Sequence, residues 1–240
     1  MTQTTPDDRQ AAWLGAREAF GVPAAVLGAG FIGFGALAAD AGYSLWATTL
    51  STLVIWALPG QLVLNELYGL GTAPLAIILA VSLTAVRFLP MAVTLMPVVR
   101  AGRHGRTRLF LAAHFISMTS WAACMRRCDE LPREQRLAYL LAFSVTCWAA
   151  CLATGALGYF LGDWVSPAVR LGLVFLTPVY FCVILVGDAR TPLARIALAC
   201  GAMAGPLFHR VDPQWGLLAA GLVAGTLAYV LQRAWGRVRA

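Results

Sequence analysis

Between Ser51 and Arg100 the sequence is apolar enough for hydrocarbon, yet it is repeatedly interrupted. Leu58-Pro59-Gly60-Gln61 comes first, then Asn65-Glu66, then a long apolar segment with Arg87 near its middle and Pro90 just after. Proline removes a backbone donor and clashes with the turn before it, and glycine weakens a helix. A fixed charge resists leaving water. A chain with all three inside membrane-grade sequence has to break its helices there and find partners for the groups it exposes.

The rest of the chain supports the membrane setting. Only 12% of the 240 residues are charged and 60% are hydrophobic, against about 25% charged in soluble domains. Such a chain lacks the polar groups to cover a water-facing surface. No stretch shows the short alternating segments of a barrel, so the expected fold is all-α, a polytopic integral membrane protein. The net charge is +7, and every basic residue is arginine. The arginines gather at the ends of apolar segments, as the positive-inside rule requires, and form no basic face for nucleic acid. Two cysteine pairs, Cys124/Cys128 and Cys147/Cys151, stand four apart, on one helix face each. No histidine stands at ligand spacing beside them, so they read as packing thiols, with no metal or cofactor expected.

Residues 1–19 form a polar lead-in without a basic n-region or cleavage box, so it is not a signal peptide. Its part from Arg9 to Phe20 suits a short amphipathic helix on the membrane surface. A single transmembrane domain is expected over 20–235, with a basic tail at 236–240. The first span, Phe20 to Ala39, is rich in glycine, which allows close helix approach or leaves room for a ligand. The second segment, Leu45 to Gly69, reads as two half-helices meeting at Pro59-Gly60. The third, Thr72 to Val99, would be about 42 Å long, longer than a ~30 Å hydrocarbon core, which calls for tilt or a break at Pro90. A basic loop, Arg100 to Arg108, precedes a short polar-centred segment, Leu109 to Met125. After the polar loop Arg126 to Arg136, further spans are expected at 137–161, 167–186, 192–208 and 215–235.

That makes six to eight hydrophobic helical segments. Eight crossings would put the Arg100 to Arg108 loop outside; six, with 45–69 and 109–125 re-entrant, would put it inside. Both arrangements leave both termini cytoplasmic. Residues 20–100 and 137–208 form a possible internal repeat, with Pro59 and Pro178 in the middle segments.

Several groups are candidates for chemistry. Arg87 is too deep to reach water easily, at a cost of about 2.5–3.5 kcal/mol on insertion scales. It reads either as a clamp for a substrate carboxylate or as a structural ion pair, for example with Glu66. Gln61, just after the Pro59-Gly60 break, reads as part of a polar wall at a helix start, or as a group that only satisfies broken backbone. His114 and Glu66 are candidates for a proton relay or polar gate, though a lone hydrogen-bonded histidine would look the same. Phe34, Trp56 and Phe88 could receive an aliphatic side chain. The tryptophans Trp46, Trp148, Trp164, Trp215 and Trp235 read as interface anchors. Walker A, zinc-protease and serine-elbow motifs are missing, so an enzyme is not expected.

The stretch Ala57-Leu58-Pro59-Gly60-Gln61 and the later Ala85-Val86-Arg87-Phe88-Leu89-Pro90-Met91 resemble the AzlC family of branched-chain amino-acid export permeases. Trp148, Gly155, Gly158, Gly162 and Leu171 to Phe175 fit its second half. The scattered likeness covers about 20–210. Gln61 and Arg87 carry over; a family asparagine is Ala85 here, and an acidic pair is replaced near Thr119 and Ser120. The resemblance implies an exporter of amino acids, branched-chain ones first, across a bacterial cell inner membrane. It also implies a small AzlD-type membrane subunit as partner. Two other readings stand beside it, a non-transporting subunit of a partner-dependent complex and an intramembrane enzyme.

Overall fold

The computed structural model describes residues 6–101, 105–189, 191–211 and 216–238. Arg103 and His104 of the basic loop, and Arg239 of the tail, lie outside them. The described residues form helices and turns, without a strand, as an all-α membrane protein should. They divide into two compact units, residues 1–180 and 181–240.

In the first unit, α1 (Pro6–Ala19) precedes α2 (Val22–Asp40). Pro23 lies in the first turn of α2, where a missing N–H costs nothing. The long α9 (Arg133–Phe160) packs against both. The glycines of α2 serve close packing: a methyl on Gly35 would overlap the Gly155 carbonyl, and one on Gly158 would overlap Ile32 backbone. Gly33 does the same against Arg170 and Val174 of α10 (Pro167–Asp188). α1 is seated on α9 through Gly15, against Tyr139 and Phe143 backbone, so it is a docked element rather than a free surface helix.

The unit has two chemically different ends. At one, Arg127 pairs with Glu18 and, at 2.5 Å, with Glu130, while Arg136 donates to the Val98 carbonyl at 3.2 Å. This end also receives Arg100, Arg106, Arg108, Arg126 and Arg133. At the other, Asp40 pairs with Arg170, and the Tyr159 hydroxyl donates to the Tyr43 carbonyl at 2.8 Å.

The chain between α2 and α9 follows from these ends. α3 (Leu45–Val54) starts on Ser44, whose side chain caps Ala47 N–H at 3.1 Å. After a break at 55–57, α4 (Leu58–Gly69) returns to the same end. There Tyr43 donates to the Leu64 carbonyl at 3.3 Å and meets Tyr68 ring to ring at 4.5 Å. α5 (Pro74–Ala85) and α6 (Phe88–Val99) then cross to the arginine-rich end with a 46° bend. α7 (Arg106–His114) goes in and α8 (Met118–Arg127) comes back to the same end, with Trp121 donating to Thr94 of α6 at 3.0 Å. Residues 45–69 and 109–125 therefore form two helical hairpins, whose bases lie at opposite ends of the unit.

The breaks fall earlier than the sequence suggests. α3 stops at Ile55 and α5 at Val86, each four residues before a proline, Pro59 and Pro90. A proline inside a helix deprives the carbonyl four residues back of its donor and clashes with it. Ending the helix at that carbonyl puts each proline in the first turn of a new helix instead. Pro59 and Gly60 thus open α4 rather than occupy the gap. The α7–α8 break has no proline; Ser117 sets it through a reciprocal capping pair with Ser120, at 2.9 and 3.2 Å. Pro178 lies inside the continuous α10.

By length and apolarity α2, α9 and α10 can cross a membrane, and the bent α5–α6 pair makes a fourth. In the second unit, α11 (Pro192–Val211) packs on α12 (Gly216–Val238). Ala220, Ala224 and Ala228 form one buried stripe on α12.

Candidate functional site at the hairpin tips

The break between α3 and α4 carries the one positive-φ residue other than glycine among the described residues. Trp56 has φ of 39°, in the left-handed region that a bulky side chain rarely adopts. Such a conformation costs about 1–3 kcal/mol and persists only where packing holds it. Trp56 is buried, its side chain beside the Cys151 thiol of α9. Its ring meets Phe115, at the tip of the other hairpin, with centroids 6.2 Å apart. Phe115 in turn sits edge-on to Trp148 of α9 at 5.7 Å. The tips of two hairpins from opposite ends thus meet against the middle of α9. Trp148 belongs to this aromatic cluster, not to an interface belt.

Gln61 is fully buried one turn into α4. Its amide nitrogen donates to the Ser51 hydroxyl at 3.1 Å and to the Thr52 hydroxyl at 2.9 Å. Both hydroxyls already spend their hydrogens on the Thr48 carbonyl, at 2.8 and 3.3 Å. They can only accept from Gln61, which fixes the orientation of the amide. Its oxygen is left buried without a partner. One turn on, Asn65 repeats the pattern, donating to the Leu37 carbonyl at 3.2 Å with its own oxygen unpaired. The Gln61 N–H is not free, since it bonds to the Ala57 carbonyl at 3.0 Å.

The α5–α6 bend lies beside this hairpin. A methyl on Gly60 would come within 2.9 Å of the Thr84 hydroxyl. Arg87 follows Thr84 by three residues and is the N-cap of α6. It is exposed on this chain, its guanidinium 5.1 Å from the Phe88 ring centre. Among the described residues it forms no ion pair, and Glu66 is exposed in the second half of α4. The structure therefore does not show the Arg87–Glu66 pair that the sequence offered. α4 begins inside the fold without a side-chain cap and α8 begins there with one, while α6 begins uncapped at the exposed Arg87. Helix starts carry partial positive charge.

The remaining candidates separate. His114 is exposed at the end of α7, edge-on to Phe115 at 5.3 Å. Phe34 is fully buried against Phe31 and lines no open space. Reasoning from sequence missed the other buried polar atoms without partners: Thr119, Ser144, Trp148 and Thr177. Thr177 faces Gly30, next to Leu58 at the start of α4. Hydroxyls in helices ordinarily bond a carbonyl one turn back, so nothing in the sequence marks the three hydroxyls as different.

At the arginine-rich end, Glu18 is the anchor of a network. Burial alone would raise its carboxyl pKa. Hydrogen bonds from Arg127 and Tyr139, the latter at 2.5 Å, with the charges of Arg127 and Arg126, instead hold it below the usual value.

No curated protein and no solved structure matches the chain. Residues 24–165, more than half of it and the part that holds both hairpins, match the family described as AzlC protein. That family is transporter-associated and in general works with partner subunits. With its multi-pass array of apolar helices, the chain is a membrane transport-related protein that belongs to the AzlC family.

Proposed function

We propose that the protein is a bacterial inner-membrane transporter that exports amino acids, branched-chain ones among them, and binds their head group where the hairpin tips meet. The observation that carries this is the Gln61 amide, locked so that a bare carbonyl oxygen is held in a buried site. A buried acceptor without a donor costs about 1–3 kcal/mol, and the ammonium of an amino acid supplies the donor. Asn65 offers a second acceptor one turn away. The substrate carboxylate goes to the uncapped starts of α4 and α6 and to Arg87, whose guanidinium fork suits it. Interrupted helices that start inside the membrane are a recurrent way to hold such groups. Pro59 and Gly60 keep the start of α4 open and slim, and Trp56 and Phe88 offer apolar surface to an aliphatic side chain. Glu66, toward the base of the first hairpin, and His114, beside the tip of the second, serve as polar gate groups in this reading. No cofactor is part of this reading.

The arginine gathered at one end of the first unit, and again in the C-terminal sequence, supports a cytoplasmic side for both termini. The exposed Arg87 favours a partner-dependent form of the reading, in which a small AzlD-type subunit covers the α5–α6 bend. Counterflow of labelled leucine into proteoliposomes tests both. Activity from this chain with its partner, lost in Gln61→Leu, supports the site. Undiminished counterflow in a normally abundant Gln61→Leu protein removes it. Activity from this chain alone removes the partner requirement.

A further inference from the structure

A cavity of about 330 Å³ opens at the arginine-rich end and runs along α8 toward the tip of its hairpin. Glu18, Arg126, Arg127 and Glu130 stand around it, with Thr119 and Phe143 among its other walls. Thr119 lies eight residues before Arg127 on α8, about 12 Å deeper along the axis. Its side chain is 2% exposed, and its hydroxyl has no hydrogen-bond partner. The cavity therefore has a charged rim, and one wall residue, Thr119, carries a buried hydroxyl that lacks a partner.

The charges are balanced, two carboxylates against two guanidinium groups. Glu18 accepts from Arg127 and Tyr139, and Arg127 also donates to Glu130 at 2.5 Å. Arg127 is 38% and Glu18 29% exposed, so a ligand of one sign that enters this network leaves a half-buried guanidinium or carboxylate without its partner. A zwitterion replaces the displaced pairs one for one, carboxylate on Arg127 and ammonium on Glu18 or Glu130. The cavity is larger than a head group needs, and Phe143 and Ala123 supply apolar wall for a side chain. Further along α9, Ser144 and, one turn on, Trp148 present polar atoms without partners, and Trp148 reaches the aromatic cluster at the hairpin tips.

We propose that this cavity is a second ligand site, at which a zwitterionic amino acid loads from the arginine-rich end before it reaches the hairpin tips. The proposal rests on the transport reading above for its substrate class. The Glu18–Arg127–Glu130 network is then exchanged for ligand pairs as the amino acid enters, and Thr119 contributes a hydrogen bond.

The test uses the full chain with its partner in vesicles of both orientations, with labelled leucine as probe. Thr119→Val, a change of one hydroxyl for a methyl, is expected to raise the KM for leucine at least fivefold from the arginine-rich face. The KM from the opposite face stays as it was, which a general loss of fold would not produce. Leucinamide and isocaproate, each with one of the two charges, are expected to compete at least tenfold more weakly than leucine. Transport with an unchanged KM in Thr119→Val, or isocaproate competing as well as leucine, overturns the loading site and leaves the transport reading standing. Leucine binding to purified protein, weakened at least fivefold by Thr119→Val but without transport, upholds the cavity and overturns the transport reading. Neither binding nor transport of any amino acid overturns both.

Discussion

Gln61 reaches back across the α3–α4 break to Thr52, its amide nitrogen 2.9 Å from the Thr52 hydroxyl. This contact, with its twin to Ser51, decides which end of the amide faces the site. Thr52→Val takes away one acceptor and lets the amide turn. It is expected to raise the KM for leucine several-fold while the protein still accumulates, as read by counterflow and immunoblot.

Arg87 has no acidic partner among the described residues. As a carboxylate clamp it is needed for export, so cells that express Arg87→Ala are expected to lose resistance to a toxic leucine analogue. Arg87→Lys keeps the charge but not the fork, and is expected to restore only part of it. Full resistance at normal abundance of Arg87→Ala would sink the clamp.

Trp56 is expected to be worth more for its packing than it costs in strain. Trp56→Gly removes a left-handed penalty of about 1–3 kcal/mol but also loses ring contacts worth about 3–5 kcal/mol when a large buried side chain is truncated. The net effect is a lower melting temperature in detergent. A rise would mean that the tip is held by something other than this ring.

Two glycines three residues apart on α9 are expected to behave differently. A methyl on Gly158 overlaps Ile32 backbone, which cannot move aside, whereas one on Gly155 meets Phe31 at an ordinary 3.8 Å. Gly158→Ala should cut accumulation strongly and Gly155→Ala should be tolerated. Equal behaviour of the two in a thermal-shift assay would contradict the helix register described.

The Glu18 carboxyl has its pKa lowered below the usual 4.5 by Arg127, Tyr139 and Arg126, against the opposing effect of burial. A lowered carboxyl pKa stabilises the fold above the unfolded value, and that contribution is lost as pH falls through the folded one. Thermal stability is expected to drop as pH goes from 4.5 downward. Glu18→Gln should be less stable than the parent at pH 7 and should lose less over that interval. Parallel pH curves for the two would show that Glu18 does not carry the effect.

Much of this fold could be read in the sequence, for physical reasons that differ between elements. Apolar runs and sparse charge specify membrane helices. Pro59 and Pro90 announce that two of them are interrupted, though the interruption falls at Ile55 and Val86, because the carbonyl four residues back is what a proline disables. The α7–α8 tip was hidden, since a serine pair sets it and serine pairs are common. In the site, Gln61 was legible because an amide is rare in such a segment. Its orientation was not, because it depends on hydroxyls nine and ten residues away that fold back beside it. Trp148 looked like an interface anchor, and only the meeting of two hairpin tips makes it part of a cluster. Thr119 and Ser144 were invisible, because only the neighbours brought in by the fold decide whether a helical hydroxyl finds a partner.

The seating of both hairpins on α9 bears on how the chain is made. α3 packs on α9, α8 packs on α9, and Trp56 and Phe115 both depend on residues of α9 for their partners. Residues 133–160 leave the ribosome after both hairpins have been synthesised. Until then, each hairpin packs only on earlier helices, α4 on α2 and α5 and α8 on α6, and lacks the α9 surface against which its tip is buried. The order of assembly is thereby imposed by topology: α2 and the α5–α6 span enter first, the hairpins wait near the two surfaces, and the arrival of α9 draws them in from opposite sides. A nascent chain halted before residue 133 should therefore hold α2 in the membrane while both hairpins remain open to protease.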